Sequence, residues 1–438
     1  MGAELTQAHA PRPVRRPIAP WTVGDGGMAL FAMLALPAGV FYLRLSDSYA
    51  LGTALAIGWL LCLRWTPTGQ LATTGQPIAS AGRVTACIAL VVVLHFIVAA
   101  SFQPVRVGRS FGSLPLLILM LLASATFAGQ LAAVPERRFE RGMRHLIVVM
   151  LVVALLGLLG LAIPPFQGEP WRRPFFPFAE PAGFALPFCP LFIYMSVKAR
   201  GTQRWGVVLL GLASVLLLQT LTLVVGIALA ACVTLRKREF LIFAALSAAA
   251  MTVIDLTYYL ERVDFGAEGT TNLSNLVYVQ GWQLLWEGLE RSRWFGQGFQ
   301  QLGVHGTEVE AAKIIDYLLQ GSDLNLLDGG FILVKLVAEF GVIGIAVAAV
   351  AVVRIARSIL LLRRVSTGRS QLPSVEVLAH ATIVVFLLHL FVRSGGYFTG
   401  EVLTALTAFW IAASARKWRG LGGLGSRRLE ILTDRSHA

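Results

Sequence analysis

The sequence predicts an all-α polytopic membrane protein with about 12 transmembrane helices and one large periplasmic loop containing short amphipathic helices. Three observations carry this. The residues are 56% hydrophobic and only 14% charged, with mean hydropathy +0.70, whereas a soluble chain averages roughly 45–50% apolar and about 25% charged. Apolar runs approach the roughly 20 residues a helix needs to cross a bilayer, and they recur along the whole chain. The basic residues fall in short clusters between those runs, where they act as topology signals.

In chain order, residues 1–26 form a polar, proline-rich tail with Arg12, Arg15 and Arg16, and no small-residue cleavage site follows the first apolar run. Arg15-Arg16 is followed by the proline-flanked Pro17-Ile18-Ala19-Pro20, and a twin-arginine signal is given little weight. Nine spans are expected within 27–257, at 27–43, 49–63, 84–101, 113–134, 145–163, 182–198, 206–219, 220–235 and 239–257. The boundary at Gln219-Thr220 is open, because one long helix there would change the parity. A hydrophilic insertion occupies 258–327. Three further spans, at 329–353, 375–393 and 401–415, lie within 328–415, and a tail of 416–438 follows. Its glycines around Gly420–Gly425 follow a membrane helix and no strand, so they read as a flexible tail and not as a phosphate loop.

With the N-terminus in the cytoplasm, the cytoplasmic loops and tails hold 26 of the 37 Lys and Arg. Arg137-Arg138, Arg236-Lys237-Arg238 and Arg363-Arg364 all fall inside, as the positive-inside rule requires. Twelve spans with both termini cytoplasmic satisfy the count. The 258–327 insertion is then outside, and its nine acidic against four basic residues agree with that side. Within it Trp282, Leu285, Trp286 and Leu289 repeat at helical spacing, which suits a helix lying in the membrane interface. Ile314, Ile315, Leu318 and Leu319 suggest a second helix.

The net charge of +13 does not indicate nucleic-acid binding, because it is scattered between apolar runs and not gathered on one face. Cys62, Cys87, Cys189 and Cys232 all sit in apolar runs without metal-ligand spacing and read as buried free thiols. No metal and no cofactor is implied.

Charge is costly in lipid, so ionisable residues in spans or at their outer ends are the functional candidates. Glu180 precedes Pro181, which sets extended backbone at Glu180 and suits Pro181 to a first helical position. Its carboxylate either faces an aqueous vestibule or merely caps the span. Arg172 and Arg173 lie upstream. Asp328, Lys335 and Glu339 are spaced along one helical stripe entering span ten; for Lys335 and Glu339 the bland reading is an i, i+4 pair that neutralises itself. His389 and Arg393 share a face at i, i+4, with Tyr397 just beyond. Arg106, Arg109, Arg291 and Arg293 are arginines on the outer side, where an anion such as a lipid pyrophosphate would account for them. His305, alone in the insertion, reads as a solvated side chain.

Several of these stretches resemble Wzy-type O-antigen and exopolysaccharide polymerases, within the O-antigen ligase/polymerase superfamily. Phe178-Ala179-Glu180-Pro181-Ala182-Gly183-Phe184-Ala185 resembles their glutamate-proline opening of a span. Leu336 through Gly344 is similar to a shared Gly-x-x-Gly signature, here Gly341 and Gly344. Arg293-Trp294-Phe295-Gly296-Gln297-Gly298 is similar to a basic-aromatic stretch of their large loop, and Arg393–Phe398 resembles the end of a late span. The resemblance covers about the last 260 residues. Ligases carry a histidine eleven residues before the first glycine of Gly-x-x-Gly; here that position is Gly330, which favours polymerase over ligase.

The resemblance implies a metal-independent transferase acting on undecaprenyl-pyrophosphate-linked glycan in the bacterial inner membrane, with a chain-length regulator protein as a fitting partner. The acceptor hydroxyl would attack the donor's anomeric carbon and lipid pyrophosphate would leave. The expected base is Glu180, then Asp328. The expected anion clamp is Arg393, Arg293, Arg106 and Arg173 in that order, with Tyr397 beside the substrate. The alternatives are a ligase that transfers glycan to lipid A core, with His305 as base, and a flippase or secondary transporter. The absence of a visible internal repeat counts against the latter.

Overall fold

A computed structural model of the chain describes residues 25–64, 76–161, 163–166, 173–251, 273–304, 309–319 and 329–414. Residues 1–24, the whole 416–438 tail, Asp328, His305 and Arg172 lie outside the described residues. The described residues form α1 (Asp25–Tyr42), α2 (Tyr49–Arg64), α3 (Gln76–Phe102), α4 (Val107–Ala133), α5 (Glu136–Leu158), α6 (Pro181–Lys198) and α7 (Thr202–Leu218). They continue with α8 (Leu221–Thr234), α9 (Lys237–Met251), α10 (Leu273–Arg291), α11 (Glu310–Leu318), α12 (Ile332–Ser366), α13 (Ser374–Phe391) and α14 (Gly400–Ser414). Apart from one isolated bridge between Phe175 and Phe178, no extended pairing occurs among the described residues.

Each of the twelve apolar runs contains a helix, and α3, α4, α5, α12 and α13 are long and apolar enough to cross a membrane. The outward faces are themselves apolar: Leu90, Leu94 and Ile97 on α3, Leu155 on α5 and Val350 on α12 are all exposed. Such continuous exposed apolar surface is untenable in water and natural in lipid. The chain is a helical, membrane-embedded protein.

Contacts between helix termini gather several of the described junctions at two ends. At one, Lys198 closing α6 meets Glu140 at the start of α5 at 3.0 Å, and the Ser374 amide opening α13 donates to Glu136 at 2.7 Å. Arg204 of α7 donates to the carbonyl of Ser366 at the end of α12, and the Ser366 hydroxyl to that of Thr234 at the end of α8. This is the basic end, where Arg236-Lys237-Arg238 and Arg363-Arg364 also lie. At the opposite end, the loop end, the Tyr42 hydroxyl donates to the Ile163 carbonyl and the Ser394 amide to that of Gly330. The centre is built by α6 and α13, whose Phe184, Phe188, Ile193, Val384 and Leu388 are essentially inaccessible.

Several boundaries differ from the sequence expectation. α5 starts at Glu136, nine residues before the expected span, because Phe139 and Met143 are buried one turn apart and continue the apolar stripe of Leu146, Ile147 and Met150 beneath a charged outer face. At the open boundary there are two helices. Gln219 is left-handed (φ 47°, ψ 50°), and the Thr220 hydroxyl caps α8 by accepting from the Leu223 amide at 3.2 Å.

The helix expected in the membrane interface is α10, and it uses its apolar face differently. Leu284, Leu285 and Leu289 are buried against Phe331, Val334, Val337 and Ala338 at the start of α12. Trp286 stays exposed and meets the Trp294 ring edge-on at 6.3 Å. α11 in turn buries Ile315 against Leu276 of α10. The two helices thus form a stack standing on α12.

Candidate functional site

The loop end is organised by a break in α12. Gly341 has φ 56° and ψ −130°, backbone that only glycine adopts without strain, and a Cβ there would collide with the Trp294 carbonyl. The break withdraws the Val342 amide from the helical ladder and leaves the Ala338 and Glu339 carbonyls without their usual donors. Buried polar backbone must find partners, and residues 294–298 supply them. Val342 donates to the Trp294 carbonyl at 3.1 Å, Gln297 to Ala338 at 2.9 Å and Gly298 to Glu339 at 2.8 Å. The basic-aromatic stretch and the Gly-x-x-Gly stretch therefore hydrogen-bond to each other.

The same segment is bolted to α3 and α4. His95 Nε2 donates to the Phe295 carbonyl at 2.9 Å, and its ring stacks on Phe295 at 4.6 Å between centroids. The Ser110 hydroxyl donates to the Phe299 carbonyl. The Gln301 side chain accepts from the Arg106 amide at 2.8 Å and donates to Ser110 at 2.7 Å. Arg109 donates to the Leu302 carbonyl at 3.3 Å.

Behind this segment lies a buried polar cluster. Glu339 is fully buried, and its Oε1 accepts from the Leu302 amide at 3.4 Å. Lys335, also buried, places its ammonium 5.4 Å from the centre of the Tyr397 ring. Glu339 is thus engaged with the loop as well as with its i−4 neighbour, beyond a simple self-neutralising pair. The Tyr397 ring stacks on Phe299 at 6.1 Å. Burial, reinforced by the Glu339 carboxylate, pushes the Tyr397 phenol well above its ordinary range.

The half-exposed part of the site joins two chain segments far apart in sequence. Glu180 is extended (φ −159°, ψ 163°) at the N-cap of α6 with Pro181 following, yet its side chain makes no capping bond. It pairs instead with the Arg393 guanidinium. Arg393 reaches it because α13 ends at Phe391 and the Arg393 amide folds back onto the Leu388 carbonyl. The expected i, i+4 face shared with His389 is therefore absent. His389 points into the bundle, where with Glu401, Pro187 and Thr382 it lines a narrow, largely apolar crevice of about 30 Å³.

The remaining candidates are placed as follows. Tyr397 belongs to the buried cluster, four residues beyond Arg393. Arg106, Arg173 and Arg293 expose their side chains; Arg106 is clasped only through its backbone, and Arg293 occupies a left-handed turn (φ 47°) just before the interlocked segment. Asp328 falls outside the described residues, next to Gly329 and Gly330, whose chain is tied to Ser394. His95, Ser110 and Gln301 were not legible as site residues. Nothing in one dimension marks a histidine inside an apolar run as the clasp of a loop 200 residues away.

The arrangement is a half-exposed carboxylate held against a cation at the loop end of the bundle, with Tyr397 of the buried polar cluster four residues beyond that cation. Fold and site together define a helical membrane protein with a preorganised polar site at one end. No protein-family model, curated protein or solved structure matches the chain.

Proposed function

We propose that this chain is a polysaccharide polymerase of the bacterial inner membrane, joining undecaprenyl-pyrophosphate-linked oligosaccharide units at the periplasmic face. The observation that carries this reading is the Glu180–Arg393 pair, a carboxylate and a guanidinium meeting at the end where the interlocked 294–298 segment lies. Twelve crossings with both termini cytoplasmic are part of the proposal, supported by a helix in each of the twelve apolar runs and by the basic clusters at the end opposite Glu180. That orientation places the 258–327 insertion in the periplasm.

In this mechanism Glu180 takes the proton from the acceptor hydroxyl as that oxygen attacks the donor's anomeric carbon, a general-base role worth about 10²–10⁴-fold. Arg393 orients the carboxylate before substrate arrives, then faces the departing pyrophosphate, whose growing negative charge needs a preorganised donor. Exposed Arg106, Arg173 and Arg293 widen the cationic approach for the lipid pyrophosphate. A chain-length regulator protein fits this role as a partner.

The test is reconstitution of the purified chain with synthetic undecaprenyl-pyrophosphate repeat units. Wild type should produce a ladder of longer lipid-linked glycans, and Glu180→Gln and Arg393→Ala should each reduce it by at least about a hundredfold. Transfer only to lipid A core would make the chain a ligase. Movement of the glycan across the bilayer without a new glycosidic bond would make it a flippase.

A further inference from the structure

At the basic end, the turn between α8 and α9 and the last turns of α12 frame an open cavity of about 360 Å³. Arg236 and Lys237 form one wall, and Arg363, Arg364 and Arg369 the other. No acidic residue lines it. We propose that this cavity binds the phosphodiester headgroup of an anionic phospholipid.

The charge in the cavity exceeds what the helices need. Arg363 and Arg364 sit in the last turn of α12, where two cations complement the helix dipole. Arg369 and the Arg236-Lys237 pair add three more positive groups around the same space. Among the described residues none of the five has an acidic partner. Glu239, close in sequence, does not line the cavity: its carboxylate accepts from the Arg236 amide at 2.8 Å and pairs with Arg204 at 3.6 Å. Five mutually repelling cations around a void leave a site for an anion, and the guanidinium fork matches phosphate oxygens.

The flanks select the source of that phosphate. Leu360, one turn before Arg363, lines the cavity and is 60% exposed. Leu241, one turn after Lys237 on α9 and outside the cavity lining, is 68% exposed. A headgroup held by the arginines thus has apolar rails for its acyl chains, which free phosphate would leave uncovered. Basic pockets of this kind between membrane helices are lipid-headgroup sites. The site is at the end opposite Glu180 and does not depend on the polymerase reading.

To test it, delipidated full-length protein in neutral detergent is titrated with phosphatidylglycerol, phosphatidylcholine or inorganic phosphate while Tm is followed. Phosphatidylglycerol should give a saturable rise of about 3 °C, with a midpoint at least tenfold lower than phosphatidylcholine, and inorganic phosphate should give none. Arg363→Gln/Arg364→Gln/Arg369→Gln should raise the phosphatidylglycerol midpoint at least tenfold. Arg236→Gln/Lys237→Gln, on the other wall, should do the same and serves should the triple variant fail to fold. Arg137→Gln/Arg138→Gln, a basic pair at the same end but outside the cavity, should bind as wild type. Equal responses to the two lipids, an equal response to inorganic phosphate, or equal loss in the Arg137/Arg138 control would each overturn the proposal.

Discussion

Replacing Gly341 by alanine should release the 294–298 segment while leaving the helical bundle standing. The magnitude follows from the geometry. At φ 56° and ψ −130° an alanine carries strain, and its Cβ meets the Trp294 carbonyl. Relief requires the segment to withdraw, which breaks three hydrogen bonds: Val342 to Trp294, Gln297 to Ala338 and Gly298 to Glu339. About 1–3 kcal/mol of strain plus roughly 0.5–1.5 kcal/mol per lost bond gives a local cost of about 3–7 kcal/mol. Hydrogen exchange reads this directly, because the donors are themselves three amides. Their exchange should accelerate by at least about a hundredfold, while amides in the centre of α6 and α13 stay protected. Gly108→Ala in α4 is the control. Nothing approaches its added Cβ, so it should be neutral or stabilising by up to about 1 kcal/mol. If the Gln297, Gly298 and Val342 amides of Gly341→Ala remain within tenfold of wild type, the glycine break does not hold the segment and the reasoning fails.

Two further substitutions probe the same architecture. His95→Ala removes the bond to the Phe295 carbonyl and the stacked ring; it should destabilise by about 1–3 kcal/mol and speed exchange from Phe295 to Gly298, and unchanged exchange there would show that α3 does not clasp the loop. Gln219→Gly relieves a left-handed non-glycine residue between α7 and α8 and should raise stability by about 1 kcal/mol in a thermal melt. Were α7 and α8 one continuous helix, the same change would lower stability by about as much, so the sign of the shift decides.

Much of the fold was legible in one dimension. Hydropathy located twelve helices, because the transfer of apolar side chains is a property of each segment on its own. The Gln219-Thr220 boundary needed local backbone information: a threonine cap and a left-handed residue are weak signals inside an uninterrupted apolar run. The start of α5 was missed for the opposite reason, since charged residues on the lipid- and water-facing side conceal the buried Phe139 and Met143 in a running average. α10 shows a third limit. The Leu285, Trp286, Leu289 pattern revealed an apolar face, but amphipathicity alone does not say whether membrane or protein covers it.

At the candidate site, Glu180-Pro181 announced an extended residue at a helix start, and Gly341 announced itself as a glycine with neighbours resembling a known signature. That Glu180 forgoes its capping role for Arg393, 213 residues away, was not legible. Nor was the early end of α13, which turns Arg393 outward and His389 inward.

The sequence by itself determined the membrane-embedded helical class, the placement of the apolar helices and the clustering of basic charge between them. Each of these follows from local quantities: transfer free energy, backbone preference and charge per segment. Only the tertiary structure decided which polar groups meet. The Glu180–Arg393 pair, the loop seated on the Gly341 break and the five-cation cavity all join distant segments. A hydrogen bond or ion pair reaches only about 3–4 Å, and which groups come within that range is set by helix packing and by where each helix ends.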